Sequence, residues 1–216
     1  MEPRLIAAGR ASEILDLGDG RVLRRFKAGG DPEREALVMR HARERGYPVP
    51  EVFEVGPDSL VLERIEGPTM FDVLAERPAE MDEHARLLAR LHDDLHALEA
   101  PDGLPALGEG GCIVHLDLHP ANVILSPAGP VVIDWANARR GEALLDVAFT
   151  WVICATSSGV GRLGVDFAER FLASFDREAV TRHLPLAAEQ RLADPNVFEE
   201  ERERIRVLAA DARAGR

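Results

Sequence analysis

Two acids and one amide set the chemistry open to this chain. Asp117 and Asn122 stand five residues apart in the run His115-Leu116-Asp117-Leu118-His119-Pro120-Ala121-Asn122. Asp134 follows two short apolar runs, Val123-Ile124-Leu125 and Val131-Val132-Ile133, separated by the turn-forming Pro127-Ala128-Gly129-Pro130. Folded as a hairpin, the stretch brings two carboxylates and an amide to one end. Oxygen donors of this type suit Mg²⁺, which usually takes one or two carboxylates and fills its shell with substrate phosphates. The remaining carboxylate can accept a proton from an attacking hydroxyl. These are the parts that phosphoryl transfer from ATP requires.

His115, Asp117 and Asn122 match the His-x-Asp-x4-Asn pattern of protein kinases, and Asp134-Trp135-Ala136 takes the place of their Asp-Phe-Gly. The fuller form, His-x-Asp-x-His-Pro-x-Asn with Trp after the second Asp, resembles the aminoglycoside phosphotransferase family, small-molecule kinases with a protein-kinase-like fold. The resemblance implies an α+β chain of two lobes: an antiparallel sheet with one helix over residues 1–66 that binds ATP, and a larger, mainly helical lobe over residues 67–216 that carries catalysis and substrate. It implies Asp117 as the base, with His115 orienting its loop, and Asn122 and Asp134 as ligands of Mg²⁺. It places Ser12 over the ATP phosphates, Arg24 on them with Glu35 as its brace, and the adenine on the Glu63 carbonyl and the Ile65 N–H. Protein kinases carry Lys where this chain has Arg24, and Arg25 and Lys27 are rivals for the basic role. The expected activity is transfer of the γ-phosphate of ATP to a hydroxyl of a small molecule: an aminoglycoside-like antibiotic, a sugar or an amino alcohol. A protein kinase, a non-catalytic kinase-like nucleotide-binding protein and a metal-dependent hydrolase are the alternatives. The short Ala136-Asn137-Ala138-Arg139-Arg140-Gly141 connection after Asp134 leaves no room for a long activation loop, which argues against the protein kinase.

These residues need a scaffold, and the pattern supplies one. Ile14-Leu15-Asp16-Leu17 and Arg21-Val22-Leu23-Arg24 flank Gly18-Asp19-Gly20, a hairpin signal. Gly9-Arg10-Ala11-Ser12 precedes it as a turn. Asp31 to Gly46 reads as a helix, capped by Asp31, with Pro32 in its first turn and Gly46 closing it. Val52 to Glu63 reads as a second hairpin. Composition turns helical around Gly67-Pro68, which sets the lobe boundary. Helices are expected over 69–76, 79–98, 143–155, 163–175, 177–193 and 197–213, with Leu87, Leu88, Leu91, Leu95 and Leu98 on the buried face of the second. His84, His92 and His96 lie on that helix beside Asp93-Asp94. With no HExxH pattern they read as structural or solvent-facing side chains on a wet face rather than metal ligands. His119 either packs under the loop or lines the substrate mouth, with packing preferred. Asp146 reads as a structural brace of the loop.

The composition narrows the partners. The chain has 216 residues and a formal net charge of −12, which argues against non-specific nucleic-acid binding. Cys112 and Cys154 read as small buried residues, not as a disulfide framework, and a reducing cytoplasm is the simplest setting. No apolar signal core follows the first residues, and the longest uncharged run, Val147 to Gly161, is too short to span a bilayer. The partner expected is a small hydroxylated substrate, with neither nucleic acid nor membrane; nothing in the pattern fixes an oligomeric state.

Overall fold

Alternating side chains build the first sheet. In the computed structural model of the protein, which describes residues 3–9, 12–27, 29–158 and 161–213, the strands β1 (Arg4–Ala8), β2 (Ser12–Asp16), β3 (Arg21–Phe26), β4 (Val52–Val55) and β5 (Ser59–Glu63) pair antiparallel in the order β1-β2-β3-β5-β4. On β3, Val22, Arg24 and Phe26 are buried while Arg25 is exposed, as the two-residue period of a strand requires. The β2-β3 register pairs Asp16 with Val22, and the turn between them uses the positive φ of Gly18 and Gly20.

The helix α1 (Pro32–Glu44) starts where its capping residue puts it. The Asp31 side chain accepts the Arg34 N–H at 3.0 Å, Pro32 occupies the first turn, and Gly46 ends the element with φ 83°. Its buried face carries Ala36, Val38, Met39 and Ala42, and also Glu35.

Beyond the sheet the chain turns helical. The helix α2 (Met70–Glu76) opens on a reciprocal Thr69–Asp72 capping box. The helix α3 (Met81–His96) follows a 3-10 turn at Pro78–Glu80, so it starts later and ends earlier than the expected 79–98. The strands β6 (Cys112–Val114), β7 (Val123–Ser126), β8 (Gly129–Val132) and β9 (Arg139–Gly141) form two small sheets, β6 with β9 and β7 with β8. Neither β6 nor β9 was expected: each is three residues long, and their pairing joins segments 25 or more positions apart. The strand β8 begins at Gly129, inside the stretch expected as turn, because its outer pairs, Leu125 with Pro130 and Ser126 with Gly129, close the hairpin tightly.

The helices α4 (Ala143–Thr156), α5 (Gly161–Leu172), α6 (Arg177–Ala193) and α7 (Glu199–Arg213) complete the chain. The uncharged run from Val147 to Thr156 lies in α4, which is buried along nearly all its length and packs against α3, α5, α6 and α7. A helix apolar all round is a core element. One continuous apolar core runs from Val22 and Leu60 in the sheet through Leu88 and Trp135 to Val152 and Phe171. Cys154 is buried, Cys112 is half-buried, and both are free thiols. Among the described residues, no helix is long and apolar enough to cross a membrane.

Candidate active site

A backbone bend fixes the loop that carries Asp117. Leu116 has φ 61°, a left-handed conformation that costs a branched L residue about 1–2 kcal/mol. The cost is offset from α4: Asp146 accepts the Leu116 N–H at 2.7 Å and the His115 N–H at 2.9 Å. His96 on α3 holds the same carboxylate, Nε2 to Oδ2, at 2.9 Å. Burial opposes the Asp146 charge, but His96 and the loop amides outweigh it and hold the carboxyl well below the usual carboxylate range. Asp146 is therefore the brace the sequence suggested. The partnership of His96 is new, and the histidine face of α3 is not wet. His92 is fully buried, bonded to the Leu88 carbonyl and the Thr150 hydroxyl, and His84 is buried as well.

His115 orients the loop by packing. Its buried ring lies 4.7 Å from that of Trp135, and Trp135 Nε1 donates to the Val132 carbonyl at 3.0 Å. Burial lowers the His115 pKa, so the ring is neutral. The contact ties the loop to the segment just after Asp134.

The hairpin β7-β8 then brings the three polar residues together. Val123 pairs with Val132, and the Ile133 N–H extends the ladder to the Asn122 carbonyl at 3.0 Å, so Asp134 emerges beside the end of the catalytic loop. Asp134 itself has φ 65°, a left-handed turn that Asp tolerates better than most residues. Asn122 Nδ2 donates to the Asp117 carbonyl at 2.8 Å and to Asp117 Oδ2 at 3.2 Å. That leaves Asn122 Oδ1 free to meet a cation.

Arg24 links the first sheet to both α1 and the segment after β8. From β3 its guanidinium reaches Glu35 Oε1 at 2.7 Å and Asp134 Oδ1 at 2.6 Å. Burial raises the Glu35 pKa, with Arg24 opposing it in part. Burial likewise works against the Asp134 charge, but here Arg24 prevails and the carboxyl lies below its ordinary value. Of the rivals for the basic role, Arg25 is exposed beside Glu13 and Lys27 Nζ bonds the Gly9 carbonyl. Asp117 differs from Asp134. Burial and the nearby Asp134 charge push its carboxyl up to about 7, with Arg191 and Asn122 pulling the other way.

His119 packs into the loop, the reading preferred from the sequence, and also borders a cavity. Its Nδ1 accepts the Ala121 N–H at 3.3 Å, which packs it into the loop, and its ring lines a cavity of about 310 Å³ with Phe71, Cys154 and Phe167. Burial and Arg191 push its pKa down to about 4. Its Nε2 lies 3.4 Å from Asn122 Nδ2 and 3.6 Å from Asp117 Oδ1.

The remaining expected residues lie around this centre. Ser12 is buried at the start of β2; Arg10 and Ala11 of its turn lie outside the described residues. Glu63 ends β5, its carboxylate taken by the Glu51 N–H and Arg43, and Ile65 follows in the connector. Gly67 presses that connector onto the catalytic hairpin: with φ 141°, a Cβ there would lie 2.4 Å from the Leu125 carbonyl oxygen. Among the described residues, no group of three or more His, Cys, Asp and Glu side chains could hold a metal ion. A cation at Asn122 and Asp134 must therefore draw further oxygens from phosphate or water, the donor set that suits Mg²⁺. Sequence reasoning missed His96 and Arg191. The only signal for the first was its four-residue spacing from His92, and Arg191 gave none, since it lies in charged sequence more than 50 residues from the motif.

Comparison with known proteins bears on this arrangement. The model of the phosphotransferase enzyme family matches residues 101–186. Two curated proteins are similar over about half of this chain: a probable serine/threonine-protein kinase BUD32 homolog of Archaeoglobus fulgidus, 32% identical over 104 residues, and the KEOPS complex subunit Bud32 of Pyrococcus abyssi, 34% identical over 113 residues. The matches span 48% and 51% of this chain and less than half of each relative, 44% and 46%. Among solved structures, a thermostable mutant of aminoglycoside phosphotransferase APH(4)-Ia with ADP and hygromycin B superposes with a TM-score of 0.75 at 17% identity, covering 99% of this chain and 94% of that one. A choline/ethanolamine kinase family protein from Mesorhizobium loti gives 0.64 at 15% identity, covering 99% and 87%. The fold is protein-kinase-like, and the resemblance read from the motif holds.

Proposed function

We infer, from a chain whose residues 101–186 match the phosphotransferase enzyme family, that the protein transfers the γ-phosphate of ATP to a hydroxyl of a small molecule such as an aminoglycoside-like antibiotic, a sugar or an amino alcohol. One observation carries the reading: Asp117, Asn122, Asp134 and Arg24, from a loop, a hairpin and a separate sheet, converge on one site. Residues 1–66 act as the nucleotide lobe and residues 67–216 as the catalytic and substrate lobe. Ser12 covers the phosphates, and the Glu63 carbonyl and Ile65 N–H take the adenine. The setting is the cytoplasm, without a nucleic-acid or membrane partner.

Asn122 Oδ1 and the Asp134 oxygen that Arg24 leaves free would hold Mg²⁺, which when bound neutralises charge on the β- and γ-phosphates. Arg24 supplies a second, permanent positive charge to the phosphates, and Glu35 fixes its direction. Asn122 steadies the Asp117 carboxylate. As the acceptor oxygen forms its bond to the γ-phosphorus, the bond to the β,γ-bridging oxygen breaks, ADP departs with that electron pair, and the hydroxyl proton passes to Asp117. A carboxyl with a pKa of about 7 accepts that proton more readily than an ordinary aspartate.

The test is label transfer from γ-labelled ATP to a panel of hydroxylated metabolites and antibiotics, alongside thermal melts with ATP and Mg²⁺. Transfer to a small molecule is the expected result. Neither transfer nor nucleotide-dependent stabilisation would overturn the reading. A second reading, phosphorylation of a protein hydroxyl, is favoured by the name of one curated relative, the probable serine/threonine-protein kinase BUD32 homolog. Label entering protein but no small molecule would select it. Against it stand only eight residues between Asp134 and the start of α4.

A further inference from the structure

Beside the Asp117 loop lies another, smaller cavity, of about 160 Å³, separate from the one His119 lines. Its walls include Leu116, Asn137, Arg139, Gln190, Arg191 and Asp194. Leu116 is the residue before Asp117, and Arg191 and Asp194 are close enough for their charges to act on the Asp117 carboxyl. The cavity therefore borders the loop that carries the base, within reach of an acceptor whose hydroxyl meets Asp117.

The charges on these walls are not equivalent. Arg191 is committed: Nη2 lies 2.9 Å from Glu201 Oε1, and Nη1 lies 3.5 Å from Asp194 Oδ2. Glu201 is buried at the start of α7, so Arg191 is anchored from behind. Arg139 is different. Its Nη1 donates to the Asn137 and Ala138 carbonyls, and among the described residues no carboxylate lies within ion-pair distance of it. It is half-buried, and strand pairing of β9 with β6 turns it to the opposite face from the exposed Arg140. The charges of the α1 start that act on it, Arg34 and Asp31, pair with each other. The cavity thus holds one unspent guanidinium group, flanked by the amides of Asn137 and Gln190.

We propose that this cavity is the subsite for a compact anionic group, a carboxylate or a phosphate, carried by the acceptor, with Arg139 as its anchor. The inference rests on the phosphotransferase reading and narrows its substrate class. A guanidinium binds such groups through two parallel N–H donors. The volume, about 160 Å³, is enough for a carboxylate or phosphate. A polycationic acceptor would have to place an ammonium against Arg139, at a cost in affinity. The favoured acceptors are therefore acidic hydroxylated compounds, such as sugar acids or sugar phosphates, rather than polyamines.

The experiment uses the full chain saturated with Mg·AMP-PNP, so that the nucleotide site is filled. Gluconate, glucose 6-phosphate, glucose and kanamycin are then titrated by thermal shift and calorimetry against the parent, Arg139→Gln and Arg25→Ala. Gluconate or glucose 6-phosphate should bind more tightly than glucose, and Arg139→Gln should weaken that binding about tenfold or more, the scale of one charge-assisted contact. Arg25→Ala, outside the site, should leave it unchanged. The gluconate and glucose 6-phosphate arms separate carboxylate from phosphate. Binding of kanamycin in preference to both acids, or no acid whose binding depends on Arg139, overturns the subsite while leaving the kinase reading intact. Failure of AMP-PNP itself to bind strikes the kinase reading instead.

Discussion

Arg24 and Asp134 are 110 positions apart in the chain and 2.6 Å apart in the fold. The group expected on the phosphates is thus bonded to the group expected on the metal, and Arg24 is shared between Asp134 and Glu35. Nucleotide phosphates and the Asp134 carboxylate compete for the same guanidinium. Asp134→Asn should abolish the Mg²⁺-dependent part of ATP stabilisation and strengthen binding of metal-free ATP, because Arg24 is released. Melts with ATP in Mg²⁺ and in chelator measure both effects, and an unchanged Mg²⁺ response would displace Asp134 from the metal site.

Arg24→Ala removes one partner of a buried ion pair and leaves Glu35 inside without its cation. Such losses cost about 3–5 kcal/mol. The loss should be smaller at pH 5 than at pH 8, because Glu35, already raised by burial, takes up a proton once Arg24 is gone. Arg25→Ala, on the exposed face, should stay within about 0.5 kcal/mol of the parent. Urea titrations at the two pH values give the comparison, and equal effects of the two substitutions would contradict the strand register.

Asp117→Asn should retain ATP binding and lose turnover by about 10²–10⁴-fold, the usual scale of a missing general base. The pH dependence follows from the direction of the shift. A carboxyl raised to about 7 in the folded state binds protons more tightly there than when unfolded, so the parent loses stability as pH rises from about 4 towards 7. The Asn variant lacks this term and should melt no lower than the parent at pH 8. In the parent, kcat/KM should fall about tenfold per unit below pH 7 as the base is protonated. A flat profile between pH 5.5 and 8 on a true acceptor would assign proton removal elsewhere.

Asp146→Ala strips both amide partners from the bend at His115-Leu116 and leaves two buried N–H groups unpaired. At about 1–3 kcal/mol for each unsatisfied group, it should be among the most destabilising single changes in the chain. His96→Ala acts through Asp146 and should cost less in stability, since the amides still hold the carboxylate, while lowering kcat more than KM for the acceptor. Stability curves set beside initial rates separate these effects. A His96 variant with parental kcat would make the residue purely structural.

The sequence by itself determined the local elements and the chemical parts. Asp31, Pro32 and Gly46 fix the ends of α1, Gly18 and Gly20 fix the first hairpin, and the spacing from His115 to Asp134 identifies a loop and hairpin that present two acids and an amide, because capping, turn conformation and strand period are effects of neighbouring residues. The fold decided what depends on distant partners. The strands β6 and β9 exist through each other and through bridges to Glu99 and Ala106. His96 became the brace of Asp146 because α3 lies against the loop, a contact that its helical spacing alone could not distinguish from a solvated face. The different carboxyl pKa values of Asp117 and Asp134 likewise arise from placement: Arg24 sits on one and not on the other. Burial and charge proximity act through space, so two aspartates in one motif acquire different chemistry only once the sheet, the hairpin and the helices have closed around them.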